Sequence, residues 1–345
     1  MGHETGKIAV LGTGAWGTTF AQVLADAGQD VTMWGRRQLI VDMINEGENS
    51  TYLPGIELSA SITATTDLAE AVTGAGIVVV AVPTAAISGV VSEAVKSAPD
   101  AIYVSLSKGI DIESGKSATE LIKEAGDLPE AKIALVSGPN LSREIAEKQP
   151  AASVVASTDV ETAKHLAAMF HNHYFRPYVS TDVIGCETAG ATKNVIALAI
   201  GAAEGMGLGT NTRATLITRG LAEITRLGIA LGADPATFSG LAGVGDLIAT
   251  CSSRLSRNYA LGYRMGTGVP LREALELSPG VAEGVRTAGP LVRLAGELGV
   301  DMPISRAVAL TLAGEATVPE MGEMLLGRPQ KMDGWKIELI DEVPE

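Results

Sequence analysis

"IAVLGTGAWGTTFA", Ile8 to Ala21, sets an apolar run against a turn of three glycines that opens a helical pattern. Gly12, Gly14 and Gly17 stand at G-x-G-x-x-G spacing, with Ala15 and Trp16 completing the turn. Each glycine has a physical task. Gly12 permits the tight turn, Gly14 lets the main chain approach a pyrophosphate, and Gly17 allows close helix–strand packing. The helix start then faces the negative charge with free N–H groups. A packing turn without a ligand has the same spacing. The context favours dinucleotide binding: a strand before, the helix Trp16–Ala27 after, and a second strand at Val31–Trp34.

Working outward, further strand patterns fall at Lys7–Leu11, Ile77–Val82, Ile102–Leu106, Ile133–Ser137 and Ala152–Ser157, with a last extended stretch at His173–Ser180. Helical periods such as Ala85–Lys96 alternate with them. This order predicts βαβ units, a Rossmann-type mostly parallel sheet covered on both faces. After about Thr181 the strands stop. Helical patterns follow at Glu187–Glu204, Thr212–Leu231, Arg257–Met265, Leu271–Leu277, Val281–Leu298 and Pro303–Ala313. The fold class is therefore α/β followed by all-α. Residues 1–181 form the expected dinucleotide-binding domain and 182–345 an all-helical substrate domain, with a cleft between them.

Composition narrows the partners. The formal net charge of −14, from 40 acids against 26 Lys and Arg, repels nucleic acid and anionic lipid. An anionic ligand then needs a local basic island. No apolar run reaches the roughly 20 residues of a membrane span. The N-terminus leads almost directly into a strand pattern, without a basic-then-apolar leader. Cys186 and Cys251 are the only cysteines, too few for a disulfide framework or thiolate metal cage. A soluble protein of a reducing cytoplasm fits. His171 and His173 have no acid or cysteine beside them, and no metal is assigned.

The end of the second strand bears on cofactor choice. Asp30 precedes the strand, whereas Arg36 and Arg37 follow it. Two guanidiniums suit a 2′-phosphate through paired hydrogen bonds, so NADP(H) is expected, with NAD(H) also accepted. The plainer alternative is a solvated basic turn. Past two other strands come Lys108 and the triplet Gly138-Pro139-Asn140. Asn140 either caps the following helix or reaches a substrate hydroxyl.

"GATKNVIALAIGAA", Gly190–Ala203, carries one charge, Lys193, in a helix apolar around its circumference. Burial lowers an ammonium's pKa and lets it exchange a proton near neutral pH. Asp246, in glycine-rich apolar surroundings, needs a partner and would hold Lys193 if close. Ser256, Arg257 and Asn258 read as a capped helix start, a ready phosphate site.

Together "GTGAWGTTFA", "VSLSKGI", "GATKNVIALAIG" and "GVGDLIATCSSRLSRN" closely resemble the bacterial-type NAD(P)-dependent glycerol-3-phosphate dehydrogenases, from Gly12 to about Arg328. The resemblance implies reversible hydride transfer between NAD(P)H and dihydroxyacetone phosphate, supplying glycerol 3-phosphate for glycerophospholipid synthesis. It makes Lys193 the proton donor and acceptor, with Lys108 and Asp246 beside it. It assigns Gly138, Asn140, Ser256, Arg257 and Asn258 to the substrate. It gives Ser142, Arg257, Val281 and Glu283, together with Lys108 and the glycine turn, to the cofactor. Ala15, Asn140 and Ser142 depart from the residues common in that family. A homodimer is implied. A β-hydroxyacid dehydrogenase of similar two-domain plan is the alternative, against which the Asp246–Asn258 cluster argues.

Overall fold

The structure, a computed structural model, describes residues 6–111, 114–278 and 282–327. Val281, assigned above to the cofactor, and the acidic tail from Arg328 lie outside the described residues. In chain order the first half runs β1 Lys7–Leu11, α1 Ala15–Asp26, β2 Asp30–Trp34, α2 Gln38–Asn45, β3 Ile62–Thr65, α3 Leu68–Val72, β4 Ile77–Val80 and α4 Ile87–Ala94. It continues through β5 Ile102–Ser105, α5 Ala118–Gly126, β6 Ile133–Ser137, α6 Ser142–Ala146, β7 Ala151–Ala156, α7 Val160–Phe170 and β8 Phe175–Ser180.

The strands form one sheet in the order β3-β2-β1-β4-β5-β6-β7-β8. All pairs are parallel except β6–β7. Strand β1 shows why such strands are apolar throughout. Ile8 and Val10 pack into one layer with Phe20, Phe170 and Phe175, while Ala9 and Leu11 pack into the other with Val78, Ile87 and Tyr103. The order of connection reverses on either side of β1, which opens a crevice beyond its carboxyl end. Gly12, Arg36, Lys108 and Gly138 all follow strands whose carboxyl ends meet at this edge.

The helical half comprises α8 Val183–Gly205, α9 Thr210–Ala230, α10 Asp246–Ser252, α11 Arg257–Gly266, α12 Leu271–Glu276, α13 Glu283–Glu297, α14 Pro303–Ala313 and α15 Val318–Leu326. Helix α8 is its axis and is buried from Thr188 to Ala203. It starts four residues earlier than the apolar pattern suggested, because the Asp182 carboxylate caps it by accepting from Gly185 N at 2.9 Å. At 23 residues it is long and apolar enough to span a membrane, contrary to the expectation from sequence, but most of it is buried inside the protein.

Helices α8 and α11 touch main chain to main chain. A Cβ built on Gly201 would lie 2.1 Å from Tyr259 O, and one on Gly262 would lie 2.1 Å from Leu198 O. Gly205 and Gly266 repeat this contact one turn on. No larger residue fits at the crossing without separating the helices.

Helix α14 lacks a cap of its own. Glu223 of α9 supplies one, accepting from Ile304 N at 2.5 Å, Ser305 N at 3.1 Å and Ser305 Oγ at 2.9 Å. Burial pushes this carboxyl up to about 7, against the pull of those donors and of Arg226. The raised value means that the folded state binds the proton more tightly than the unfolded chain. Stability from this group is therefore full below the ordinary value of 4.5 and is lost as pH rises through about 7. The span corresponds to about 3 kcal/mol. Glu223→Gln is expected to flatten the fall in melting temperature between pH 5 and 8. An unchanged slope in the variant would show that another group carries it.

Candidate active site

The glycine turn is built for an approaching anion. Gly12 has φ +126°, and a Cβ there would sit 2.6 Å from Ala81 O. A Cβ on Gly17 would meet Gly12 O at 2.3 Å, so both positions exclude side chains for packing reasons. Gly14 differs, with nothing within 4 Å of its missing Cβ. Helix α1 starts there without a side-chain cap and without an acid in its first turn. Its leading N–H groups, Ala15 and Trp16 included, thus remain available to phosphate oxygens. This is the observation that fits a dinucleotide to the turn. Ser142, at the start of α6, is held beside α1, its carbonyl accepting from Thr19 Oγ1 at 3.1 Å.

Both arginines after β2 are exposed. Arg37 is engaged, donating to the Tyr52 phenol oxygen. Arg36 has no side-chain partner among the described residues. An exposed cation at this edge leaves its donors free for a phosphate.

The chemistry concentrates where the two halves meet. Asp246 is 1 % exposed and its two oxygens go to two ammonium groups. Oδ2 accepts from Lys108 Nζ at 2.8 Å, and Oδ1 accepts from Lys193 Nζ. Lys108 also donates to Gly138 O at 2.9 Å, and Lys193 to Thr250 Oγ1 at 2.7 Å. Lys193 is therefore not a lone charge. One carboxylate from α10 holds an ammonium of the sheet edge and an ammonium of α8 together.

The local backbone explains the placement of Asp246. Leu241–Gly245 form a π-helical turn that runs directly into α10. Gly243 is required there, since a Cβ would lie 2.2 Å from Phe238 O. Such turns redirect a side chain at the cost of regular helix bonding and recur at functional sites. Thr250, four residues on, shares the face of Asp246 and reaches the same ammonium.

Burial pushes the Lys193 ammonium down to about 8, with the Asp246 carboxylate resisting and the Lys108 charge adding to the depression. Glu283 is moved upward by burial, tempered by the guanidiniums of Arg257 and Arg286. Ser256 caps α11 as expected, accepting from Tyr259 N at 3.3 Å. Arg257 is exposed beside it.

Two residues differ from their sequence reading. Asn140 does not cap α6, whose cap position is Leu141 without a side-chain bond. Asn140 Oδ1 accepts from Ser153 Oγ, while its Nδ2 is buried without a partner. Asn258 has its amide engaged within the protein, donating to Asn194 Oδ1 at 3.0 Å and accepting from Gly284 N at 2.9 Å. It ties α11 to α8 and α13. Asn194 in turn donates to Lys108 O at 3.2 Å. Sequence reasoning missed Thr250 and Asn194. The D-x-x-x-T spacing and the polar neighbour of Lys193 were the available signals.

An α/β sheet with a ligand-ready glycine turn at its switch point, joined to a helical layer by a shared carboxylate between two lysines, defines the class: a nicotinamide-dependent dehydrogenase. Comparison with known proteins gives the family. Residues 7–163 match the family model of the NAD-dependent glycerol-3-phosphate dehydrogenase N-terminus, and 182–323 that of its C-terminus. Glycerol-3-phosphate dehydrogenase [NAD(P)+] of Corynebacterium diphtheriae is 52% identical over 330 residues, covering 95% of this chain and all of that one. The Streptomyces griseus protein of that name is 50% identical over 322 residues, 92% of this chain and 96% of its own. A crystal structure of glycerol-3-phosphate dehydrogenase from Coxiella burnetii superposes with TM-score 0.89 at 34% identity, covering 94% of this chain and 99% of that one. The chain belongs to the NAD-dependent glycerol-3-phosphate dehydrogenase family.

Proposed function

We propose that the protein reduces dihydroxyacetone phosphate to glycerol 3-phosphate, reversibly, with NADPH preferred and NADH accepted, and so supplies glycerol 3-phosphate for glycerophospholipids. The observation that carries the reading is the pair Lys108 and Lys193 bridged by Asp246, close to the start of α11. In this reading residues 1–181 hold the nucleotide and residues 182–345 the substrate. Gly12, Gly14, Ala15, Trp16 and Gly17 cradle the pyrophosphate, Arg36 and Arg37 take the 2′-phosphate, and Ser142, Arg257 and Glu283 complete the nucleotide site. Val281, outside the described residues, is assigned there by resemblance alone.

The substrate phosphate binds at the start of α11, where main-chain N–H groups and the Arg257 guanidinium offer donors to an anion. Asn258 orients this helix rather than spending its amide on the substrate. Asn140 Nδ2, buried and unpartnered, is a donor for a substrate oxygen. NADPH, when bound, supplies the hydride taken up by the carbonyl carbon. Lys193 gives its proton to the carbonyl oxygen as negative charge develops there, and Lys108 adds positive potential in a low-dielectric site. Asp246 keeps both ammonium groups positioned and Lys193 charged. The reverse reaction returns the alcohol proton to the neutral amine of Lys193. Ligation of a metal is not needed for this proton transfer. A soluble cytoplasmic homodimer is part of the same proposal.

Absorbance of the reduced nicotinamide tests it. NADPH is expected to be consumed with dihydroxyacetone phosphate, while β-hydroxyacids are not oxidised in the presence of NADP. Turnover of a β-hydroxyacid and not of the phosphorylated ketone would overturn the reading.

A further inference from the structure

Arg37 is held in place before any ligand arrives. Its guanidinium carbon lies 5.3 Å from the centroid of the Tyr52 ring, and its Nη2 donates to the Tyr52 hydroxyl. Tyr52 sits on the loop between α2 and β3, which is tied to the glycine turn. Asn49, fully buried, donates to Thr13 O at 3.1 Å and to Thr18 Oγ1 at 2.8 Å. Its own carbonyl accepts from Tyr52 N at 3.1 Å and Leu53 N at 2.8 Å. On the far side Arg143 Nη1 donates to Pro54 O at 2.5 Å. The loop thus joins the glycine turn, α1 and α6, and presents one aromatic ring to one of the two arginines that end β2.

The chemistry of the pair goes beyond support. A phenol oxygen that accepts from a guanidinium keeps its own O–H free to donate. A phosphate meeting Arg37 at this edge would therefore gain two kinds of donor together, the guanidinium N–H groups and the phenol O–H. Stacking over the ring also fixes a side chain that otherwise loses rotamer freedom on binding. A nucleotide with a bare 2′-hydroxyl has no anion to place there and gains little from either effect.

We propose that Tyr52 is a specificity-determining residue, which positions Arg37 and adds a hydroxyl donor for the 2′-phosphate of the cofactor. The inference rests on the dehydrogenase reading above. It distinguishes Tyr52 from a ring that merely stacks on adenine, which would serve both nucleotides equally.

Calorimetric titration of the full-length protein with NADPH and with NADH, apart from turnover, tests it. Tyr52→Leu is expected to weaken NADPH binding by about tenfold and NADH binding by less than about twofold, from loss of one charge-assisted contact and the cation–π support. Tyr52→Phe keeps the ring, loses the hydroxyl, and is expected to lose about threefold for NADPH alone. Equal losses for both nucleotides in Tyr52→Leu, or no loss for either, would overturn the inference while leaving the dehydrogenase intact. Wild-type protein that binds neither nucleotide would instead overturn the dehydrogenase reading, and this inference with it. Retention of the wild-type melting temperature by Tyr52→Phe makes its result independent of folding.

Discussion

Lys193→Ala is expected to lower turnover of dihydroxyacetone phosphate by about 10²–10⁴, the usual range for a general acid, while NADPH binding stays within about twofold of wild type. The variant should fold, because Asp246 keeps Lys108 as its partner at 2.8 Å. The loss is chemical. Without the ammonium, the oxygen that gains charge during hydride addition has no proton source beside it. The pH dependence carries the same signature. The ammonium's pKa is pushed down to about 8 by burial, so reduction, which needs the protonated form, should decline as pH rises through about 8. Oxidation of glycerol 3-phosphate needs the neutral amine and should rise over the same interval. Ligands that exclude water will move the midpoint without reversing these directions. Stopped-flow traces on both directions from pH 6 to 10 check the assignment. Near-normal turnover of Lys193→Ala, or identical pH trends in the two directions, would remove Lys193 from the chemistry.

The second large effect is expected at Asp246→Asn. The shape of the side chain is kept, but the charge shared by two ammonium groups is gone. Breaking a buried ion pair by neutralising one partner typically costs about 3–5 kcal/mol, since the other charge stays behind. Here two charges stay behind and repel each other. The site has one inexpensive response, release of the proton from Lys193, whose pKa the Asp246 carboxylate currently holds up. The limb for reduction should therefore move to lower pH, and activity at pH 7 should fall with it. Thermal unfolding across pH should show a deficit that narrows once Lys193 is neutral. If the variant keeps both the melting temperature and the pH profile of wild type, Asp246 is not the counter-charge of the lysine pair.

Much of the fold was legible because its pieces are local. The glycine turn, the apolar runs around it and the return of each strand after a helix are sequence-near features, and β1, β5 and β6 lie close to where their patterns put them. Strand β3 was not seen. It is four residues at the sheet edge, with only Ile62 buried, and an edge strand with one buried residue leaves no alternating signature. Helix α15 was missed although its capping box, Thr317 with Glu320, is a local signal. The active site divides the same way. Residue types and their apolar surroundings pointed to Lys193, Asp246 and Ser256. The sharing of Asp246 between two lysines was not legible, because it is a contact made across 138 and 53 residues. The inward commitment of the Asn258 amide, to a residue 64 positions away, was hidden for the same reason.

The glycine crossing of α8 and α11 gives the site a length standard. Since main chains abut there, the separation between the lysine-bearing helix and the start of α11 is set by atomic radii. Side-chain repacking has no room to stretch or shorten it. A phosphorylated ketone one carbon longer would have to bend, whereas a shorter one could not span the gap. Selectivity for chain length is in this sense written into a contact that no substrate touches.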